Sequence, residues 1–489
     1  MDRPDYLIEE ILAGRSGASI GAFFDFDGTL ISGYSAASFY LDRLKHLDLS
    51  GAEARDLLLA LIEVAWRGGD AQKPLRAAIA QWRGRPVRDL EEMADRLFRD
   101  SIAACLFPEA RALVDAHHRM GHTVAIATSA TRFQAGPAAS DLGVEHLLCT
   151  EVGVRDGLLT GDADGPILWG ESKAGAVRRF AVARNIALEE SFAYANGDED
   201  IQFLETVGRP RPVNAQPRLA AAARARGWPL HRFEERGPSL RLAPLIRTAA
   251  AVAALSATVC ISAGAGLLRR SRRHAANLAI SMGSDLVLGL TGVKLEVEGE
   301  EHLDTNRPAV FVFNHQSGLD PFILGAVLRR DVTAVAKKQL AWDPRVAPIG
   351  YLVNVAYVDR GNTAQAKEAL APALERLKAG VSVAMAPEGT RSRTQRLGRF
   401  KKGAFHLALQ AGVPIVPIVI RNSGDVMWAR SNVVRPGTVQ VRVLQPVSTQ
   451  HWSVEGLDAR VADVRQMFVD TLASWPLLKP ECSGRSRNN

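Results

Sequence analysis

Residues 308–320 read PAVFVFNHQSGLD, and the fold turns on what this stretch forms. Five consecutive apolar residues, 309–313, partly β-branched and aromatic, lie between Pro308 and a polar turn, which predicts a short buried strand. His315 therefore stands at a strand end, and Ser317 and Gly318 after it supply turn chemistry. Asp320-Pro321 then opens a helix over PFILGAVL, with the carboxylate near its N-cap and the proline in its first turn. On one continuous helix the offset from His315 to Asp320 would point the two side chains about 140° apart. The predicted bend instead lets the carboxylate accept the imidazole Nδ1–H, fixing the tautomer whose Nε2 can pull a proton from a hydroxyl.

Three more stretches repeat the pattern of an apolar run ending in a charged or proline-containing turn. APEGTRS at 386–392 follows VSVAM, YVDR at 357–360 follows another apolar run, and VPIVP at 413–417 precedes IVI. In this order the blocks resemble those of the glycerolipid acyltransferase family, in particular the 1-acylglycerol-3-phosphate acyltransferases, over residues 296–445. The resemblance implies an α/β domain in which His315 is the general base and Asp320 the carboxylate that orients it. It implies further that Arg360 of the second block, and Glu388, Gly389, Thr390 and Arg391 of the third, hold the phosphate of the acceptor and shape its pocket. Pro414 and Pro417 fall in the fourth block, on the acyl-donor side. One departure is Asn354, which stands where the second block usually opens with Gly, three residues before Tyr357.

The implied chemistry needs no Ser or Cys nucleophile. Neutral His315 deprotonates the acceptor hydroxyl, which attacks the thioester carbonyl of acyl-CoA or an acyl-carrier protein. A guanidinium suits the acceptor's phosphate because its planar fork binds two oxygens at once. Lys401 and Lys402 either add to that field or form a solvated basic turn.

A chain of 489 residues, 47% hydrophobic and 23% charged, is globular material for two or three domains. A formal charge of +7 and a pI near 9.4 suit anionic partners, and no nucleic-acid-binding motif is present. Cys105, Cys149, Cys260 and Cys482 are scattered without CxxC spacing, which argues against a structural zinc site or a disulfide framework and for a reducing, cytoplasmic setting. The opening MDRPDYLIEEILAG carries acids among its apolar residues and does not read as a signal peptide.

A second motif lies near the start, IGAFFDFDGTLIS at 20–32. An apolar approach ends in two carboxylates, Asp25 and Asp27, and Gly28 lets the chain turn so that both reach one pocket suited to Mg²⁺ and phosphate. TVAIATSAT at 123–131 forms a strand leading to Ser129, a donor to a phosphoryl oxygen. Lys173 lies near a predicted helix start, and FAYANGDEDIQFLE at 192–205 ends a further strand in an acidic cluster. Each block alone is unspecific, but the four in order resemble the haloacid dehalogenase superfamily of phosphatases, in its phosphoserine phosphatase-like branch, over residues 20–230.

That resemblance implies a Rossmann-like domain with a helical cap. Asp25 is then the nucleophile and Asp27 the acid that protonates the leaving group and later activates water. Mg²⁺ would be held by the Asp25 carboxylate, the backbone carbonyl of Asp27 and Asp200, with Asn196 at the other fourth-block position. That position more often holds Asp, so Asn196 contributes an amide oxygen without charge. Asp198 is the alternative ligand if the loop is shifted.

Between Asp27 and Ser129 the periodicity predicts helices in FYLDRLKHL, ARDLLLALIEVAW, PLRAAIAQW and LEEMADRLF, a cap over about 34–107 in which Trp66 and Trp82 pack between helices. From Arg209 onward arginines and prolines accumulate, marking the exit from the first domain. An uncharged run at 248–268, Arg269, Arg270, Arg272 and Arg273, and an apolar stretch at 275–293 containing Asp285 follow. Length permits a span, but the run is rich in Ala, Gly, Ser and Thr, and Asp285 would be costly at a bilayer centre. Two helices lying in one leaflet, anchored by arginines, are preferred to a two-span hairpin or a soluble buried pair. A strand at 439–447, an amphipathic helix at 454–475 and a disordered tail from Pro480 complete the chain.

The expected organisation is therefore a phosphatase-like domain at 1–232, a membrane-associating connector at 233–295, an acyltransferase domain at 296–476 and a tail at 477–489. The expected activity is acylation of 1-acylglycerol 3-phosphate to phosphatidate at the cytoplasmic face of a phospholipid membrane, fused to a Mg²⁺-dependent phosphatase. The alternative is another acceptor, glycerol 3-phosphate or a lysophospholipid, with a catalytically idle regulatory or docking domain in front.

Overall fold

The computed structural model describes residues 4–45, 72–234, 242–343, 347–358, 370–428 and 431–477. The chain divides into two compact units, one within Met1–Ser239 and the other Leu240–Trp475. The segment 54–66 with Trp66, the tail from Pro480, Cys482 and Arg360 lie outside the described residues.

The first unit is built on a five-stranded parallel sheet in the order β3-β2-β1-β6-β7. These strands are β1 (Gly21–Phe24), β2 (Thr123–Thr131), β3 (His146–Thr150), β6 (Phe192–Ala195) and β7 (Arg209–Pro212), with a separate antiparallel hairpin of β4 (Val152–Arg155) and β5 (Leu158–Ala163). All four residues of β1 are buried, as expected for a central parallel strand covered on both faces. It pairs with β2 on one side and β6 on the other, so the loops holding Asp25 and Asn196 leave neighbouring strand ends.

The cap is less purely helical than its periodicity suggests. Helices Ser35–Lys45, Lys73–Ala80 and Val87–Asp100 form as expected, and Trp82 packs between Phe39 and Phe133. The β4–β5 hairpin joins them, because the Gly84 and Val87 amides donate to the carbonyls of Leu159 and Gly157. Its turn is Asp156-Gly157, both at positive φ, the geometry that matches the twist of a two-residue hairpin.

The second unit carries a seven-stranded sheet in the order β11-β10-β12-β9-β13-β14-β8. The strands are β8 (Val293–Glu298), β9 (Val310–Phe313), β10 (Val332–Lys337), β11 (Ala356–Val358), β12 (Ser382–Met385), β13 (Ile415–Ile420) and β14 (Gly437–Val443). Strands β11 through β13 run parallel, and β14 is antiparallel to β13. Alternation along β9 sorts its side chains between two cores. Phe311 and Phe313 join the core with helix Asp320–Leu328, whereas Val310 and Val312 join the one with helices Ala371–Lys378, Gly403–Ala411 and Leu457–Ala473.

The sequence-based boundary after residue 295 falls inside this unit. Helices Leu242–Leu268 and Arg272–Thr291 pack on each other and feed Ala251, Leu255, Ile280, Val287 and Leu288 into the Phe311–Phe313 core. Their small residues act as contact points. A Cβ on Gly266 would come within 2.5 Å of the Ala275 Cβ, and one on Gly325 within 2.2 Å of the Ser284 Oγ. Asp285 is half-exposed and ion-pairs with Arg329 at 2.7 Å. Among the described residues only Leu242–Leu268 is long and apolar enough to cross a membrane, with 28% of its most apolar stretch buried.

Candidate active sites

In the second unit, β9 delivers the chain to a turn built around one carboxylate. Asp320 Oδ2 accepts from the His315 imidazole Nδ1 at 2.7 Å, from the Gln316 amide at 2.8 Å and from the Ser317 amide at 2.9 Å. Asp320 is the first residue of its helix and caps the preceding turn rather than the helix itself. This fully buried carboxylate oxygen, facing the ring as an acceptor, favours the tautomer with the proton on Nδ1. The Nε2 atom then carries the lone pair, has no hydrogen-bond partner among the described residues, and belongs to a side chain 21% exposed.

Segments at two other strand ends fix this turn. Asn314 bridges to β13 with its Nδ2 donating to the Ile420 carbonyl at 2.7 Å and its Oδ1 accepting the Ile420 amide at 2.8 Å. Glu388, after β12, accepts the His315 amide on Oε1 at 2.9 Å and the Gly398 amide on Oε2 at 2.8 Å. Burial pushes its carboxyl above the usual range. Glu388 thus shapes the pocket by holding backbone, with both oxygens committed. The Ser392 amide donates to the His315 carbonyl at 2.7 Å, and Ser317 Oγ donates to the Met427 carbonyl at 2.6 Å.

Cations gather beside the turn. The exposed Arg391 guanidinium lies against Gly318, where an added Cβ would meet its Nη1 at 3.3 Å, and it forms no ion pair among the described residues. Lys401 lies over Gly389, with Nζ 3.1 Å from where a Cβ would be. Lys402 instead ion-pairs with Asp458 at 2.8 Å. Thr390 is exposed on the same loop. Pro414 and Pro417 lie at and within β13, their carbonyls accepting from Val310 and Leu444, so both support the sheet. Asn354 has φ +59, a left-handed conformation that Asn tolerates better than most residues and Gly adopts freely, which accounts for its standing in a glycine's place.

In the first unit, Lys173 Nζ bridges Asp25 Oδ1 at 2.9 Å and Asp200 Oδ1 at 2.6 Å. Burial works against the ammonium, but the two carboxylates outweigh it and hold its pKa above lysine's ordinary value. Thr29 Oγ1 lies 3.3 Å from Asp25 Oδ2 and 3.2 Å from Asn196 Oδ1. Gly28 has φ +77, and a Cβ there would sit 2.2 Å from Asn196 Nδ2, so the turn and the close approach both require glycine.

Asp27 is set apart from Asp25. Its Oδ1 accepts the Ser35 amide at 2.7 Å and its Oδ2 the Ser35 hydroxyl at 3.1 Å, while burial pushes its pKa up to about 7. Ser129 is on β2, half-buried, with its carbonyl accepting from Thr150. Asp198 accepts the Leu219 amide at 2.7 Å, at the start of helix Pro217–Arg226, and is occupied there.

A metal can be tested against these oxygens. Among the described residues no three His, Cys, Asp or Glu side chains converge on one position. The donors present are the Asp25 and Asp200 carboxylates, the Asn196 amide oxygen and the Asp27 carbonyl, all hard oxygens of the kind Mg²⁺ takes. Asp200 Oδ2 is buried with no partner, and burial pushes this carboxyl up against the pull of Lys173. An orphaned buried carboxylate oxygen is what a bound cation would satisfy, so the residues fit the ion.

Sequence reasoning missed two structural groups. Asn314 had no local signal, since its partner is far away on β13. The other is a buried chain in the first unit, where His117 Nδ1 meets His122 Nδ1 at 2.8 Å, His117 Nε2 meets Tyr194 Oη at 2.9 Å and His122 Nε2 meets the Arg15 carbonyl at 2.8 Å. The Tyr194 carbonyl in turn accepts the Asp25 amide at 2.9 Å.

Residues 294–421 match the acyltransferase family model and residues 22–205 the haloacid dehalogenase-like hydrolase model. The 1-acyl-sn-glycerol-3-phosphate acyltransferase of Limnanthes douglasii is 34% identical over 189 residues, 38% of this chain and 66% of that enzyme, so the chain spans just under two thirds of its length. The Cocos nucifera enzyme of the same name is 31% identical over 224 residues, covering 45% of this chain and 72% of that enzyme. The crystal structure of the 1-acyl-sn-glycerophosphate acyltransferase PlsC from Thermotoga maritima aligns with a TM-score of 0.40 at 25% identity, over 48% of this chain and 99% of that one. The chain belongs, through its C-terminal unit, to the 1-acyl-sn-glycerol-3-phosphate acyltransferase family, and carries that domain behind a segment that matches the haloacid dehalogenase-like hydrolases.

Proposed function

We propose that the C-terminal unit transfers an acyl group from acyl-CoA or an acyl-carrier protein to the free hydroxyl of 1-acylglycerol 3-phosphate, giving phosphatidate. The observation that carries this reading is the 2.7 Å contact between His315 Nδ1 and a buried, triply bonded Asp320 oxygen, which leaves Nε2 as a base at the surface. Nε2 takes the hydroxyl proton as the alcohol oxygen attacks the thioester carbonyl carbon. The C–S bond then breaks, and the imidazolium returns the proton to the departing thiolate. Arg391 and Lys401 supply cations for the acceptor's phosphate, and Arg360 belongs to the same set by its place in the second block.

Helix Leu242–Leu268 brings this site to its lipid. Leu267 and Leu268 are 79% and 89% exposed beside Arg269 and Arg270, a combination suited to an apolar insertion with cations on anionic headgroups at the cytoplasmic face.

The N-terminal unit acts as a phosphatase on this reading. Asp25 attacks phosphorus to form an aspartyl-phosphate, Asp27 protonates the leaving alkoxide and then deprotonates the attacking water, and Ser129 and Lys173 hold phosphoryl oxygens. Mg²⁺, held by Asp25, the Asp27 carbonyl, Asn196 and Asp200, supplies charge neutralisation when bound. A second reading, an idle regulatory or docking domain, is favoured by Asn196, whose neutral amide replaces a charge at the metal corner.

The test presents vesicles carrying the full chain with labelled acyl-CoA or acyl-carrier protein and, in turn, 1-acylglycerol 3-phosphate, glycerol 3-phosphate and a lysophospholipid with a headgroup. Phosphatidate as the main product supports the assignment, and faster acylation of another acceptor overturns it. Asp25→Asn is expected to abolish phosphate release from a panel of monoesters without changing acyl transfer. No release by the wild-type chain across that panel would favour the idle domain.

A further inference from the structure

One cleft in the first unit is not accounted for by the catalytic groups. It has a volume of about 630 Å³, within the range of small-molecule sites, and its walls include Gly28, Asn196, Asn214, Arg224 and Arg232. Three of these follow the carboxyl edge of the sheet in strand order. Gly28 lies beyond β1, Asn196 directly after β6, and Asn214 two residues after β7, while the sheet runs β1-β6-β7 in that direction. The inner end lies beside the nucleophile, because Thr29 Oγ1 reaches both Asn196 and Asp25. Of the described cap helices, Ser35–Lys45 and Val87–Asp100 pack instead against helix Arg132–Leu142, which follows β2.

The outer end is cationic. Arg224, on helix Pro217–Arg226, and Arg232 are exposed and form no ion pair among the described residues. Nearby arginines are committed, Arg226 to Glu205 and Arg211 to Glu10. Among the described residues lining the cleft none is acidic. Two guanidiniums without an ion pair among the described residues thus line a cleft that also touches the phosphate-handling corner, and a guanidinium's planar fork suits an anion.

We propose that this cleft holds the leaving-group end of a doubly anionic organic phosphate, whose second phosphate or carboxylate is gripped by Arg224 and Arg232 while the first is presented to Asp25. The inference rests on reading the unit as a phosphatase and names the class of its substrate. It places in the β7 side of the core, not in the cap, the residues that select the substrate.

The experiment uses the full chain with Asp25→Asn to block turnover, in buffer with MgCl2. Calorimetry compares propane-1,3-diyl, pentane-1,5-diyl and heptane-1,7-diyl bisphosphates with the alkyl monophosphates of equal length. At one length the bisphosphate is expected to bind about tenfold tighter, and Arg224→Gln with Arg232→Gln to remove that advantage while moving monophosphate affinity less than about twofold. A bisphosphate advantage absent at every length, or unaffected by the arginine changes, overturns the proposal. Phosphate release by the wild-type chain separates the two layers. Hydrolysis of monophosphates without a bisphosphate advantage would sink the cleft and keep the phosphatase, whereas an arginine-dependent advantage without hydrolysis would keep the cleft as an anion site and sink the phosphatase.

Discussion

Replacing Asp320 by Asn removes one charge and alters almost no volume, so its effect is set by hydrogen bonding rather than packing. The wild-type Oδ2 accepts three hydrogen bonds, from the His315 imidazole and the Gln316 and Ser317 amides, at 2.7, 2.8 and 2.9 Å. Bonds to a charged acceptor are worth about 1.5–3 kcal/mol against about 0.5–1.5 for a neutral one, so losing the charge costs roughly 1 kcal/mol per bond and about 3 kcal/mol over the three. The neutral amide also stops favouring the Nδ1–H tautomer, and part of the population presents Nε2–H, which is no base. General-base catalysis contributes about 10²–10⁴, and kcat is expected to fall within that range while KM for the acceptor changes little. The assay is steady-state acyl transfer in mixed vesicles, alongside thermal unfolding. A variant that is destabilised as calculated but keeps kcat within about threefold of wild type would show that Asp320 is a structural cap only, and would refute the orienting role.

Other perturbations test other parts. Asn314→Ala strips the Ile420 amide and carbonyl of their partners in a fully buried setting, and is expected to destabilise the second unit by about 2–4 kcal/mol, read from denaturant unfolding. Gly28→Ala combines a positive φ with a Cβ 2.2 Å from Asn196, and should lower the unfolding midpoint of the first unit and end phosphate release while acyl transfer continues. The buried pair His117 and His122 makes the first unit acid-sensitive. His122 Nε2–H donates to the Arg15 carbonyl, His117 Nδ1–H to His122 Nδ1 and Tyr194 O–H to His117 Nε2, so both rings are neutral. Burial pushes both folded pKa values down, joined by His122 and His118 for His117 and by Arg209 for His122, whose bond to the Arg15 carbonyl works the other way. Below the unfolded value of about 6.5 the unfolded chain takes up protons that the folded one refuses, so stability is full above that pH and falls as pH drops. The slope approaches about 1.4 kcal/mol per pH unit for His117 alone, and His117→Phe should flatten it in a melting series from pH 7.5 to 5.

What sequence could reveal was set by how local each feature is. The strand at 310–313, the turn and the helix opening at Asp320 are contiguous, and alternation and proline placement sufficed to draw His315 and Asp320 together. Asp25, Lys173 and Asp200 were placed by order of blocks, and the structure brings them to one ammonium. Asn314 escaped notice because its partner is Ile420, and only strand order makes the two neighbours. Glu388 looked like a ligand to the acceptor, yet both of its oxygens hold backbone amides, something no residue type announces. Helices Leu242–Leu268 and Arg272–Thr291 were read as a membrane-associating connector because an uncharged run and an apolar stretch follow the arginine- and proline-rich exit from the first domain. Their use lies in close approach, at Gly266 against Ala275 and at Ser284 against Gly325, which depends on geometry and not on composition. Asn354 looked like a departure until its backbone conformation showed why it stands where a glycine usually does.

The most direct trial of the central claim, that the His315 imidazole is the base for acyl transfer, is the rate of phosphatidate formation by the full chain in vesicles with His315→Ala. With unfolding midpoint and vesicle binding held at wild-type values, the account predicts a loss of at least about a hundredfold in kcat. Transfer at an unaltered rate would contradict it.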